Sequence, residues 1–169
     1  VEAMPAALEG RDVLGLAQTG TGKTAAFALP ILEYLVTEEI KAKSPLVLIL
    51  APTRELALQI DAEIKLLATH TRIRSMTIFG GVPARQQIST LRNSPEIVVG
   101  CPGRVLDLVG QRKLDLSRVE ILELDRANFD VGDPQGLAGR DDVALDVGLL
   151  AGLLVRVDDE CLHHRRIDQ

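Results

Sequence analysis

Short apolar runs bounded by turn residues alternate with longer stretches whose apolar residues recur at three- and four-residue spacing, and this alternation restricts the fold more than any other feature of the chain. The runs at 12–17, 46–51, 75–79, 96–101 and 119–124 read as strands. The stretches at 23–38, 55–70, 84–92 and 105–110 read as helices. Strands that are apolar on both faces and joined by helical crossovers belong in a parallel sheet covered on both sides. Ligands of such sheets bind at the carboxyl ends of the strands, so chemistry is sought in the loops that follow them. With 169 residues, 46% of them hydrophobic, the chain can bury the core of one such α/β domain and is too short for two of usual size.

The loop after the first expected strand is the most specific. Ala17-Gln18-Thr19-Gly20-Thr21-Gly22-Lys23-Thr24 leaves a strand and opens a helix, the setting that a phosphate-binding loop requires. Gly20 and Gly22 let the backbone curl so that successive N–H groups point at phosphate oxygens, and the helix N-terminus adds partial positive charge. Lys23 supplies a point charge to the β and γ phosphates, and the Thr24 hydroxyl suits a magnesium ion bridging them. The alternative is a glycine-rich turn that merely caps a helix; the preceding strand, the spacing and the Gly-Lys-Thr ending favour the nucleoside triphosphate with magnesium.

With Ala17 in the usual first-glycine position, GRDVLGLAQTGTGKTAAFALPIL at 10–32 resembles motif I of DEAD-box ATP-dependent RNA helicases. Ala51-Pro52-Thr53-Arg54-Glu55-Leu56-Ala57 is similar to motif Ia, Gly80-Gly81 to the family's glycine doublet and Cys101-Pro102-Gly103-Arg104 to motif Ib. Each would pass alone for a helix cap or a turn; four in order do not. The resemblance implies a P-loop NTPase of RecA-like fold, a parallel sheet with helices on both faces, incomplete here. It implies ATP and magnesium as ligands, held by 17–24. It also implies an RNA backbone gripped without sequence preference by Pro52, Thr53, Arg54, Gly80, Gly81, Pro102, Gly103 and Arg104.

The family's Asp-Glu-Ala-Asp motif is expected just after the run that ends at Leu124, where this chain has Asp125-Arg126-Ala127-Asn128. By resemblance Asp125 can still hold magnesium, with Thr24 as the other protein ligand, and Lys23 and Asp125 are the surviving catalytic groups. Arg126 stands where the family has the glutamate that orients and deprotonates water, and losing a general base costs about 10² to 10⁴ in rate. Hydrolysis is therefore expected to be very slow. Asn128 keeps the shape but not the charge of the second aspartate, and Cys101 replaces the family's usual threonine hydroxyl with a weak thiol donor.

The formal charge of -5 is uneven: 1–124 is neutral and 125–169 carries the whole excess of acid, in a segment without Lys, Ser, Thr, Met or Tyr. The expected division is a partial helicase ATP-binding domain at 1–128 and a tail at 129–169 unrelated to the family pattern, disordered or the product of a frameshift. The run at 143–157 is apolar, yet its periodicity does not choose between strand and buried helix. Cys161, His163 and His164 crowd three ligands into four residues without a second cluster, so a solvated terminus is expected rather than a metal site. Two unpaired cysteines, no secretory leader and no membrane-length apolar run point to a cytoplasmic protein. A first residue Val1, no adenine-reading glutamine motif, no Ser-Ala-Thr motif and no second RecA-like domain suggest a fragment unable to unwind RNA unaided. Three readings follow: an enzyme half with crippled hydrolysis, a nucleotide- and RNA-binding module, or a nonfunctional truncated product.

Overall fold

The computed structural model describes Pro5, 22–37 and 44–124. The expected strand at 12–17, the stretch at 143–157 and the boundary at 128 lie outside the described residues. Within them the elements run α1 (Lys23–Thr37), β1 (Val47–Leu50), α2 (Arg54–Leu67), β2 (Ser75–Ile78), α3 (Ala84–Leu91), β3 (Ile97–Gly100), α4 (Pro102–Gly110) and β4 (Ile121–Leu124). The described strands form one parallel sheet in the order β2-β3-β1-β4.

Alternation along the strands divides the core in two. Val47, Ile49, Ile97 and Val99 point to the face where α1 supplies Ile31, Leu32 and Leu35 and α2 supplies Ala57, Ile60 and Ile64. Leu48, Leu50, Met76, Ile78 and Val98 point to the other face, closed by Val105 and Leu108 of α4 and by Leu114, Leu116 and Val119. Each side chain of β1 is 0% exposed, and full burial of an aliphatic side chain contributes roughly 1.5–3 kcal/mol. A sheet covered on both faces is thus what makes these strands read as continuous apolar runs rather than as alternating ones.

Boundaries differ from the sequence reading in one instructive place. Apolar spacing begins α4 at Val105, but the helix starts at Pro102. Proline is favoured in the first turn because its fixed φ suits a helix and no intrahelical partner awaits its missing N–H.

Polar side chains also enter the buried layers. Asp61, in the buried stripe of α2, accepts from the Ser75 hydroxyl at 2.6 Å and from the Lys65 ammonium at 2.6 Å, joining α2 to β2. Elsewhere Tyr34 donates to the Glu120 carboxylate, tying α1 to the segment that enters β4.

Candidate functional site

Because the strands are parallel, the segments that follow them leave the sheet at one edge. The ladder continues past the strand ends: the Ala51 N–H donates to Gly100 O at 3.0 Å and the Cys101 N–H to Ile78 O at 2.8 Å. Three of the loops expected to carry function, after β1, β2 and β3, therefore stand side by side by backbone geometry. Leu124 is in register with Leu50, so β4 ends at the same edge. Asp125, Arg126 and Asn128 come next and lie outside the described residues.

The loop after β1 passes directly into α2. Thr53, in extended conformation, is its N-cap, and the Thr53 Oγ1 accepts from the Leu56 N–H at 3.2 Å. The Arg54 guanidinium then lies over the Phe79 ring, 4.8 Å from its centroid. Arg54 is exposed, so one face of the cation meets the ring while the rest faces solvent. Pro52, between them, is half-buried.

The loop after β2 is held at both ends. Gln87, buried in α3, accepts from the Phe79 N–H at 3.2 Å and donates to the Phe79 carbonyl at 2.9 Å. At the far end Arg104 donates to the Val82 carbonyl at 3.1 Å, and its guanidinium is 3.5 Å from the Asp107 carboxylate. Between these anchors Gly80 and Gly81 are exposed, and a Cβ on either would meet nothing within 4 Å. Gly81 has φ +77°, which disfavours side chains; Gly80 has no such constraint, so neither packing nor backbone strain accounts for its bare backbone.

The loop after β3 forms the start of α4, with Pro102 buried and Gly103 exposed. Cys101 is the N-cap, but its side chain makes no capping bond, in contrast to Thr53. Burial pushes the Cys101 thiol above its ordinary pKa, and the Glu55 carboxylate adds to the shift by disfavouring a nearby thiolate.

Of the loop expected to bind phosphate, Gly22, Lys23 and Thr24 are described. Gly22 has φ +74° and its carbonyl accepts the Ala26 N–H at 3.0 Å, so the turn hands directly into α1, with Lys23 and Thr24 in the first helical turn. This is the loop-to-helix junction that phosphate binding demands. Ala17, Gln18, Thr19, Gly20 and Thr21 lie outside the described residues, as do Cys161, His163 and His164. Among the described residues no helix is long and apolar enough to cross a membrane.

Gln87 and Phe79 went unremarked in the sequence reading. Gln87 did leave a sign: it shares the face of α3 that carries Ala84, Ile88 and Leu91, and a polar residue in an apolar stripe must find a buried partner.

The family model of the DEAD/DEAH box helicases matches residues 1–128. The DEAD-box ATP-dependent RNA helicase CshA of Bacillus cereus is 44% identical over 127 residues, which are 75% of this chain and 24% of that protein. The crystal structure of a hypothetical ATP-dependent RNA helicase from Sulfolobus tokodaii superposes with TM-score 0.70 and 34% identity, over 87% of this chain and 40% of that one. The RNA helicase Prp28 from Chaetomium thermophilum, bound to ADP, superposes with TM-score 0.69 and 43% identity, over 76% and 32%. The described sheet and its covering helices thus have the RecA-like architecture expected from the motifs, and the chain belongs to the DEAD/DEAH box helicase family. It spans about a quarter of the length of the curated relatives it matches.

Proposed function

We propose that this chain is the ATP- and RNA-binding first domain of a DEAD-box ATP-dependent RNA helicase, acting in the cytoplasm, with ATP hydrolysis impaired by Arg126. The observation that supports this reading best is the alignment of three motif-bearing loops along one sheet edge, linked by Arg54 over Phe79 and by Arg104 on Val82. Exposed Arg54, the uncovered Gly80-Gly81 backbone and the start of α4 at Pro102 and Gly103 make a surface that donates hydrogen bonds and positive charge, suited to a phosphodiester backbone and indifferent to base identity.

The nucleotide falls to residues 17–24. Lys23 neutralises the β and γ phosphates, and the amides at the start of α1 bind their oxygens. Thr24 and Asp125 would hold magnesium, which screens charge on the phosphates when bound. Arg126 can neither accept a proton nor orient water as a carboxylate does, so binding survives while turnover falls. On this reading 1–128 form the partial ATP-binding domain, and 129–169 take no part in the site.

Titration of the purified chain with a fluorescent ATP analogue and magnesium, beside Lys23→Ala, tests the nucleotide site. Saturable binding lost in Lys23→Ala supports it; equal or absent binding in both removes it. Arg126→Glu with Asn128→Asp is expected to raise single-turnover hydrolysis by about 10²-fold, the lower end of what a positioned base contributes. No gain would mean that Arg126 is not what limits the reaction.

A further inference from the structure

We infer that Gln87, which lies in α3 outside the motifs named above, is a positioning residue for RNA binding: it fixes Phe79 and thereby sets Arg54 and the Gly80-Gly81 backbone. The inference rests on the reading of this edge as a nucleic-acid surface.

Gln87 uses both halves of its amide on one residue. Its carbonyl accepts the Phe79 N–H and its NH₂ donates to the Phe79 carbonyl, so the backbone of Phe79 cannot rotate without losing two buried hydrogen bonds. Phe79 is the first residue beyond β2, and a free strand end would ordinarily let the following loop wander. The ring of this same residue is the platform for the Arg54 guanidinium. The next two residues are the exposed glycines on which a Cβ would meet nothing within 4 Å, and their N–H groups are useful to a phosphate only if their direction is fixed. Arg104 performs the matching task at the far end by holding the Val82 carbonyl. Gln87 is 7% exposed and bonded on both sides, so it acts on RNA only through Phe79.

The test is anisotropy of fluorescein-labelled decauridylate titrated with the full chain as parent, Gln87→Leu, Arg54→Ala and the double variant, with affinity for the ATP analogue measured in each. Gln87→Leu is expected to weaken RNA binding about five- to tenfold, the effect of one to two lost hydrogen bonds, while nucleotide affinity stays within about twofold. Because Gln87 acts partly through Arg54, the double variant loses less than the product of the two single effects. Unchanged RNA affinity in Gln87→Leu, multiplicative losses in the double variant, or a parallel fall in nucleotide affinity each overturn the inference. If Arg54→Ala also binds RNA as the parent does, the nucleic-acid reading of this edge fails as well; loss in Arg54→Ala alone removes only the role of Gln87.

Discussion

A Cβ atom built on Gly100 would lie 2.4 Å from Cγ2 of Val105 and 3.3 Å from the Ile78 carbonyl oxygen. The last residue of β3 is therefore a contact point where α4 and β2 both close on the strand, and its lack of a side chain is a packing requirement. Val105 is 0% exposed, so its methyl has nowhere to move. Gly100→Ala is expected to lower stability by about 1–3 kcal/mol in urea denaturation. Combined with Val105→Ala, which removes the obstructing methyl, it should cost less than the two single losses together.

Thr53 and Cys101 hold the same station, the N-caps of α2 and α4 on opposite faces of the sheet, and only Thr53 makes the capping bond. Cys101→Thr is expected to stabilise the domain by about 1 kcal/mol and to tighten decauridylate binding, since a hydroxyl can serve amide or phosphate. Thr53→Ala should lose a similar amount. A Cys101→Thr protein with an unchanged urea midpoint would show that α4 draws nothing from its cap.

Burial and Glu55 raise the Cys101 thiol pKa, so the folded state favours the neutral form. The stabilising contribution is fully present below the unfolded thiol pKa of about 8.5 and is lost as pH rises through the higher folded value. In a Cys161→Ser background, reaction of Cys101 with an aromatic disulfide reagent should lag free cysteine across neutral pH and accelerate only in alkali. Glu55→Gln should shift that onset to lower pH; an onset unmoved by Glu55→Gln would leave burial as the sole cause.

Asp61 joins α2 to β2 through Ser75 and Lys65. Asp61→Ala leaves the part-buried Ser75 hydroxyl without its acceptor and is expected to cost about 1–3 kcal/mol. Asp61→Asn retains one acceptor oxygen and should cost less. Ser75→Ala made on top of Asp61→Ala should add little, because the bond it would break is already gone.

The layers of the fold were legible because β1 and β3 are buried from both sides and helical spacing separates them, a pattern few other folds allow. The beginnings of α2 and α4 were less so. Arg54 and Pro102 start helices for reasons of capping and preset φ that hydrophobic spacing does not record. Thr53 and Arg54 could be named from their motif, but nothing local announced that Arg54 would find Phe79, since that pairing depends on which strands become neighbours. Gln87 and Asp61 are the converse: each sits in an apolar stripe, where its polarity implied a buried bond without saying to whom.

The bonds from Ala51 to Gly100 and from Cys101 to Ile78 give the sheet edge a fixed pitch. Adjacent strands stand about 4.8 Å apart, and that interval is a property of the main chain which no side chain sets. The edge is in effect a ruler whose graduations are backbone and whose inscriptions are side chains. A change of side chain at a position such as 101 would alter how strongly a single mark is read. A polymer lying across the edge still meets the marks at the same interval, so the footprint of such a domain outlasts the drift of its affinity.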